Sequence, residues 1–479
     1  MSKSCIVTST ANPKFNLARY DVRSPRYTSY PTALQFRSDF SVDDYAKWWP
    51  NAATDITPLS LYVHIPFCRD ICYYCGCNKI VTRRAEEARR YLHYLKMEIA
   101  MQAEIVGSRR PVLQLHLGGG SPTYLSGAEL TELVYSLASH FNLVNSGVRE
   151  YSIEIDPRTV DRGMLALLKG LNFNRISFGV QDFADDVQRA INRIQPLSMV
   201  AELTESARAF AFDSINFDLI YGLPLQTPAS FATTLREVIA LRPDRIALYN
   251  YAHLPERFSS QRALDRLPRP SAAEKLALLD LASEKLTAAG YLHIGMDHFV
   301  LPNDALAIAQ QQHKLERNFQ GYSTCHAPDL IGLGVSAIGS SNYGFAQNAK
   351  DLENYYRLLD NGQLPLEKGL LVDDDDRIRK YVIMQIICNL QLTFAELKRL
   401  HGIDFFDYFA NAQPALQQLQ NDGLIALDDE ALTVAQNGRP FLRNICMTFD
   451  RYLEPADALA AATDVLLNQQ QCKQHSRAL

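Results

Sequence analysis

The sequence predicts an α/β protein: repeated β–α units forming a parallel sheet, preceded by an irregular arm and followed by a mainly helical piece. Three observations predict it. From residue 59 onward, short β-rich runs alternate with helical patterns. The strand-like runs are nearly continuous in apolar or β-branched residues, as strands covered on both faces are. Six successive runs also end on polar or glycine-rich residues, and the carboxyl ends of the strands are where such sheets collect their chemistry.

Taken in order, residues 1–52 are irregular, with "SPRYTSYPTA" (Ser24 to Ala33) rich in tyrosine, proline and hydroxyls. Strands follow at "SLYVHI", "LQLHL", "YSIEI", "RISFGV", "SINFDLIYG", "RIALYNY" and "HIGMD". Between them lie helical patterns such as "AEEARRYLHYLKMEIAMQAEIV", "ELTELVYSLASHF" and "AAEKLALLDLASEKLTAAG", the last ending on a glycine suited to a C-cap. The sheet is either doubly wound or curled toward a barrel; these patterns fit both. A cysteine-rich loop follows the first strand and "GGGSP" the second. The next four endings are "EIDP", "GVQDF", "DLIYGLP" and "NYAHLP". One such ending is unremarkable, but six in a row mark the rim of an active site.

After residue 365 the pattern changes. "VDDDDRIRKYVIMQIICNL" opens a helical stretch, and "GLIALDDEALTVA" reads as a hairpin turning at Asp428-Asp429. Helices followed by a hairpin suggest a winged-helix-like module. From Leu371 onward, however, there are fifteen Asp or Glu against ten Lys or Arg, so the piece has no electrostatic footprint for nucleic acid. It reads as a lid or packing domain. The expected boundaries are therefore 1–52, 53–365 and 366–479.

Composition agrees. With 479 residues, 47% hydrophobic and 21% charged, the chain can bury a large core in more than one domain. A net charge of -5 gives no reason to expect a nucleic-acid partner. "MSKSCIVTSTANPKF" lacks the apolar run of a signal peptide, and "YVIMQIIC" is too short to span a bilayer. A cytoplasmic protein without a membrane partner is the expectation. Cys5, Cys325, Cys388, Cys446 and Cys472 are scattered and odd in number, unlike a secreted disulfide framework. The glutamine-rich "NQQQCKQ" reads as a solvated tail.

The other four cysteines crowd "HIPFCRDICYYCGCNK" (His64 to Lys79), where Cys68, Cys72, Cys75 and Cys77 leave gaps of three, two and one residues. Zinc prefers two separated cysteine pairs that can close a tetrahedron. Iron–sulfur clusters take thiolates from one short loop. Three ligands from CxxxCxxC leave one iron open to a small molecule, which makes such a site catalytic.

The spacing Cys68-x3-Cys72-x2-Cys75 after a first strand resembles the radical S-adenosylmethionine (radical SAM) superfamily. The longer string "SLYVHIPFCRDICYYCGCNKIVTR" resembles the oxygen-independent coproporphyrinogen III oxidases (dehydrogenases). The likeness runs nearly end to end, through blocks including "PRYTSYPTA", "GGGSPTYL", "SIEIDPR", "GVQDF", "NFDLIYGLPLQTP", "GMDHF", "RNFQGY" and "RNICMTFD".

The resemblance implies a partial (β/α) barrel of radical SAM type and a [4Fe-4S] cluster on Cys68, Cys72 and Cys75. Cys77 is then a neighbouring catalytic thiol that does not ligate. It implies two SAM molecules. Tyr62, Tyr74, Gly119, Gly120, Ser121, Glu154 and Ile338 match contacts to the first, with Gly118 opening the glycine run. Gln181, Arg193, Asp218 and Ala252 match a second site. The family usually has threonine at Ser121 and phenylalanine at Tyr74.

The implied substrate is coproporphyrinogen III, whose four propionates ask for guanidinium forks, amides and phenols. Arg26, Tyr27 and Tyr30 in the arm, and Arg317, Asn318, Gln320 and Tyr322 in "RNFQGY", are the candidates, with the arm folding over the substrate to exclude water. The implied reaction converts two propionates to vinyl groups, giving protoporphyrinogen IX. It needs a low-potential electron donor and an electron acceptor, and the family implies a monomer. No general base is needed at the reacting carbon, so His64, His253 and His298 read as structural or orienting. One alternative is the haem-binding, chaperone-like relative, which lacks the fourth cysteine and the long arm. A second is an iron–sulfur or zinc scaffold that binds another protein. It would not need polar endings on successive strands. A nucleotide-binding dehydrogenase is set aside because "GGGSP" is not GxGxxG.

Overall fold

The computed structural model describes residues 19, 20, 22, 24–325 and 327–453. Cys5, Cys472, the glutamine-rich tail and the first part of the arm lie outside the described residues. The chain forms two compact units. One holds residues 28–380, and the other joins described residues up to Tyr27 with those from Tyr381 onward.

The first unit is built on strands β1 (Leu59–Ile65), β2 (Pro111–Gly119), β3 (Glu150–Ile155), β4 (Arg175–Gln181), β5 (Ser214–Tyr221) and β6 (Arg245–Asn250). They lie side by side in chain order and all run parallel. Beyond β6 come two antiparallel strands, β7 (Leu292–Gly295) at the edge and β8 (His298–Val300) against β6. On the other side of β1, strand β9 (Asp329–Leu333) is parallel to it. Then β10 (Ile338–Ser340), β11 (Gly344–Asn348) and β12 (Leu366–Leu371) follow antiparallel. The two ends of the sheet do not pair, so the β/α units make an open, partial barrel.

The strands alternate more strictly than "covered on both faces" would have them. Leu59, Leu61, Val63, Ile65, Ile153, Ile155, Ile176, Phe178, Ile215 and Phe217 join the main apolar core, packed with helix residues such as Leu92, Leu95 and Leu133. The intervening positions are polar: Tyr62 and His64, Gln114 and His116, Glu150, Ser152 and Glu154, Arg175 and Ser177, Asn216 and Asp218. Successive side chains on a strand point to opposite faces, so the second set lines the inside of the curve. The expectation of two apolar faces is corrected here. One face joins the apolar core with the helices, and the other is a polar interior.

The bottom of that interior is a buried polar network at the amino ends of the strands. Gln114 accepts from Ser60 (2.5 Å) and donates to Glu150 (2.9 Å) and Ser323 (2.6 Å). Arg175 pairs with Glu150 at 2.9 Å, and Arg245 with Asp304 at 2.8 Å. Burial opposes the charge on Glu150, but the Arg175 and Arg245 guanidinia hold its carboxyl below the ordinary range. Ser323 belongs to a hairpin (Glu316–Asn318 with Gly321–Ser323) that plugs the polar face from within. Arg245 acts on Glu150 although two strands stand between theirs, which a curved sheet allows.

Helices on the outside start on capping boxes: Ser126 with Glu129 before Gly127–His140, and Ser271 with Glu274 before Ala272–Ala288. The second ends as its glycine suggested, with Gly290 at φ +91° just past the C-cap. Tyr45, Trp48 and Trp49, from the part of the arm after Tyr27, are buried in the main core.

In the second unit, short helices Phe394–His401 and Gln413–Asn421 precede strands Ile425–Leu427 and Ala431–Val434. With Gln391–Thr393 these strands form a small antiparallel sheet. The hairpin turns where the acidic pair stands, Asp428 accepting from the amides of Glu430 and Ala431 at 2.8 and 2.9 Å. The start of the arm belongs to this unit. Tyr20 and Arg19 both bond Asp422, Tyr27 donates to Asp450 at 2.9 Å, and Arg443 holds the carbonyls of Ser24 and Pro25. The arm over 1–52 is thus divided between the units, because its aromatic later half carries apolar surface that needs the sheet's core.

A buried carboxyl fixes the helix Ala85–Val106 to the sheet. Glu98 accepts from Gly334 N (2.7 Å), Asn348 Nδ2 (2.6 Å) and Tyr355 OH (2.6 Å). Burial outweighs these bonds and lifts its pKa from 4.5 to about 7. The folded chain therefore holds a proton that the unfolded chain releases at lower pH. This contribution is complete below pH 4.5 and is lost as pH rises through 7, a fall of about 3 kcal/mol. Urea unfolding of the metal-free chain between pH 5 and 8 is expected to show this slope, and Glu98→Gln to flatten it.

Candidate active site

The cysteine loop leaves the carboxyl end of β1 and is closed by a short parallel pairing of Phe67–Cys68 with Ile80–Val81. Neighbouring strand ends tie it down. Tyr73 N donates to Ile191 O (3.0 Å), and Asn192 Nδ2 to Ile71 O (2.7 Å). Gln261 Nε2 bridges the carbonyls of Tyr74 (2.9 Å) and Ala252 (3.2 Å), joining the loop to the end of β6. Cys68, Cys72, Cys75 and Cys77 are all free thiols.

Their surroundings act on the thiols in opposite directions. Arg158 and Arg193 each donate to Cys72 Sγ at 3.5 Å, and both also hold Asp156, at 2.6 and 3.1 Å. Burial works against the Asp156 charge, yet the Arg193 and Arg158 guanidinia keep that carboxyl below its ordinary range. The Cys77 thiol hydrogen-bonds Cys75 and, with the Lys79 ammonium, lowers the Cys75 pKa against burial. Burial, then the charges of Cys75 and Cys72, push Cys68 up to about 12.

Among the described residues no group of three or more His, Cys, Asp or Glu is gathered to hold one metal ion. A four-iron cube asks for something different. Each thiolate binds its own iron, so the sulfurs stand farther apart than the ligands of a single ion. Three thiols of one loop in mutual electrostatic reach, flanked by guanidinia and an ammonium, fit that donor set. A cavity of about 170 Å³ opens beside them, lined by Cys68, Ser121, Tyr124, Asp156 and Arg158 among others.

The SAM-matching residues gather along the same rim. Tyr62 stacks on His116 with centroids 5.8 Å apart, and its hydroxyl meets His64 Nδ1 at 3.0 Å. Gly119 sits at φ +115°, and a Cβ there would strike the His64 ring. Its N–H donates to Glu154 Oε2 at 3.1 Å, while Glu154 Oε1 faces His116 Nε2 at 3.3 Å. Gly120 packs against the Pro66 backbone, and Ser121 is buried beside it. Ile338 is one strand removed from Tyr62: Gly332, in register with Tyr62, lies against its carbonyl.

Among the second-site residues, Arg193 donates to Gly179 O at 2.7 Å. Gln181, at φ +66° on a bulge, has a buried Oε1 with no partner. Asp218 accepts from Ser177 and Asn216, both at 2.9 Å, while burial and then the Glu154 charge raise it to about 6. Cys77, Tyr62, Tyr74, Glu154, Asp218 and Tyr249 stay accessible although protein surrounds them, as residues lining a recess do.

The substrate candidates divide. Asn318 reaches Gln114 at 3.5 Å, and Gln320 donates to Leu61 O at 3.1 Å, so both fasten the hairpin. Tyr322 is buried, with the Arg317 guanidinium 4.6 Å over its ring. Arg26 is exposed and Tyr27 hydrogen-bonded in the second unit, whereas Tyr30 is wholly buried in the first. Sequence reading missed Asp156, Arg158 and His116. The period-two recurrence of polar residues in "LQLHL" and "YSIEIDPR" was the available signal.

Comparison with known proteins decides the family. Residues 62–238 match the radical SAM superfamily, and residues 367–441 match the HemN C-terminal domain. The oxygen-independent coproporphyrinogen III oxidase of Pseudomonas aeruginosa is 49% identical over 437 residues, covering 91% of this chain and 95% of the relative. The Escherichia coli enzyme is 46% identical over the same length, covering 94% of the relative. The chain belongs to this family of radical SAM enzymes. A solved structure of coproporphyrinogen III oxidase (HemN) from Escherichia coli, described as a radical SAM enzyme, superposes with a TM-score of 0.86 at 46% identity. It covers 89% of this chain and 98% of that one. Membership implies a [4Fe-4S] cluster and SAM. Among the described residues, no helix is long and apolar enough to cross a membrane.

Cys68→Ala, Cys72→Ala and Cys75→Ala are each expected to lose the visible absorbance and bound iron of the reconstituted protein, whereas Cys77→Ala keeps both. Iron content and anaerobic absorbance spectra check this.

Proposed function

We propose that the chain carries out the anaerobic oxidative decarboxylation of two propionates of coproporphyrinogen III to vinyl groups, giving protoporphyrinogen IX in haem biosynthesis. The observation that carries this reading is the placement of three free thiols at the mouth of a polar, half-open barrel, in a chain nearly half identical to enzymes named for that reaction. The names of those relatives favour the oxidase over the haem-binding, chaperone-like alternative.

When bound on Cys68, Cys72 and Cys75, the cluster with SAM supplies a carbon radical able to abstract hydrogen. The net change at each propionate is loss of one β-hydrogen atom, one carbon dioxide and one electron. The chain's own groups orient and protect. Tyr62, Tyr74, Gly119, Gly120, Ser121, Glu154 and Ile338 form the first SAM seat, with Glu154 accepting from ribose hydroxyls. Gln181, Arg193, Asp218 and Ala252 form a second, so two SAM molecules act per chain. The bare Oε1 of Gln181 supports that second seat, because an unpaired buried acceptor costs about 1–3 kcal/mol unless a donor arrives. Cys77, next to Cys75 but spared from ligation, acts at the site rather than on the cube.

Among the substrate candidates Arg26, Tyr27, Tyr30, Arg317, Asn318, Gln320 and Tyr322, the hairpin set is supported by its position in the interior. The part of the arm that belongs to the first unit serves to keep water from the radical. The enzyme works as a cytoplasmic monomer, with a low-potential electron donor and a separate acceptor.

Anaerobic reconstitution with iron and sulfide, followed by coproporphyrinogen III, SAM and a reductant, is expected to yield 5'-deoxyadenosine and protoporphyrinogen IX together. Cleavage of SAM without vinyl product would overturn the assignment in favour of the chaperone-like relative.

A further inference from the structure

The interior holds a cationic group that the protein leaves unanswered. Arg317 Nε and Nη1 are buried without a hydrogen-bond partner. Yet the side chain is held firmly, its guanidinium 4.6 Å over the Tyr322 ring. His298 meets the same ring edge-on at 5.1 Å, and its buried Nδ1 is also without a partner. Tyr249 meets His298 edge-on at 6.4 Å. Two bare guanidinium donors and one bare ring nitrogen make a site open to an acceptor. Leaving buried donors unpaired costs more than pairing them returns, so a resident ligand is the economical explanation.

We propose that Arg317 and His298 together seat a ligand carboxylate, with Tyr249 and Tyr322 as its walls. This rests on the functional reading above for its principal ligand, a propionate of the tetrapyrrole. The methionyl carboxylate of SAM is the other source of the same chemistry.

The surroundings select an anion of this kind. A guanidinium presents planar paired donors that match the two oxygens of a carboxylate. Burial and then the Arg317 and Arg245 charges drive the His298 pKa down to about 3, so its ring is neutral and donates or accepts without adding charge. Two of the nearby carboxylates are engaged elsewhere. Asp218 is held by Ser177 and Asn216, and Asp304 by Arg245. The pair also belongs to the recess of the cysteine loop. The Tyr249 phenol feels Asp218, Asp297, Glu154 and Arg317, and the Tyr62 phenol feels Glu154 and Cys77, so Arg317 and Cys77 share the neighbourhood of Glu154.

The test measures anaerobic binding of coproporphyrin III, its tetramethyl ester and SAM to the cluster-loaded protein. The variants are Arg317→Gln, Arg317→Lys and His298→Gln, with absorbance and circular dichroism confirming cluster and fold. For Arg317→Gln a roughly 10- to 100-fold weakening is expected for one carboxylate ligand only. His298→Gln weakens the same ligand less, and Arg317→Lys recovers part of the loss. If the tetrapyrrole is the ligand, the ester binds wild type and Arg317→Gln alike. If SAM alone weakens, the seat holds the methionyl carboxylate. Unchanged affinity for both coproporphyrin III and SAM in a folded Arg317→Gln overturns the proposal while leaving the functional reading intact. A wild type that forms no vinyl product overturns that reading instead, and the SAM affinities then decide the seat alone.

Discussion

Everything at this site depends on keeping negative sulfur stable inside a protein. Three thiolates at the mouth of a barrel repel one another and lose water, and the charge has to be answered from nearby. Arg158 and Arg193 answer it by spanning Asp156 and Cys72, so a carboxylate and a thiolate share two guanidinia. Asp156 sets the positions of both arginines, and Arg193 is anchored again on the Gly179 carbonyl. The cysteine loop is therefore supported from the ends of β3 and β4 rather than from its own strand.

The same constraint explains the two-faced strands. A sheet that packs helices on one side needs Leu, Ile, Val and Phe at every second position, and a radical site needs an interior that binds charged ligands. Alternation meets both demands in one run of residues. At the amino ends Ser60, Gln114, Glu150, Arg175 and Ser323 bond one another, although the buried Arg175 Nε and Arg245 Nη2 have no partner. At the carboxyl ends several keep unused atoms, including Gln181 Oε1 and Asn250 Oδ1.

Much of this was legible in the sequence. The β–α alternation pointed to the parallel sheet, the cysteine spacing to the radical SAM superfamily, and Gly290 to a helix end. Two-sided covering was misread because Tyr62, His64 and His116 sit among apolar neighbours in runs too short for the period to stand out. Asp156 and Arg158 were hidden for another reason. Their period-two spacing marks the face they share with Glu154, but their meeting with Arg193 and Cys72 brings in partners from other parts of the chain. The arm was read as one piece since "SPRYTSYPTA" has one composition. Its division follows from Tyr27 finding Asp450 while Trp48 and Trp49 find the core.

The hairpin around Phe319 has a consequence of its own. It is a wall of the interior that no strand of the barrel supplies, since its two strands pair with each other. Its depth is set by a few side-chain bonds to Gln114, Glu150 and Leu61 O. The volume open to a guest can thus change by a residue or two in this turn while the iron-bearing rim stays as it is. Among barrels of this design, guest size and radical chemistry are free to vary separately.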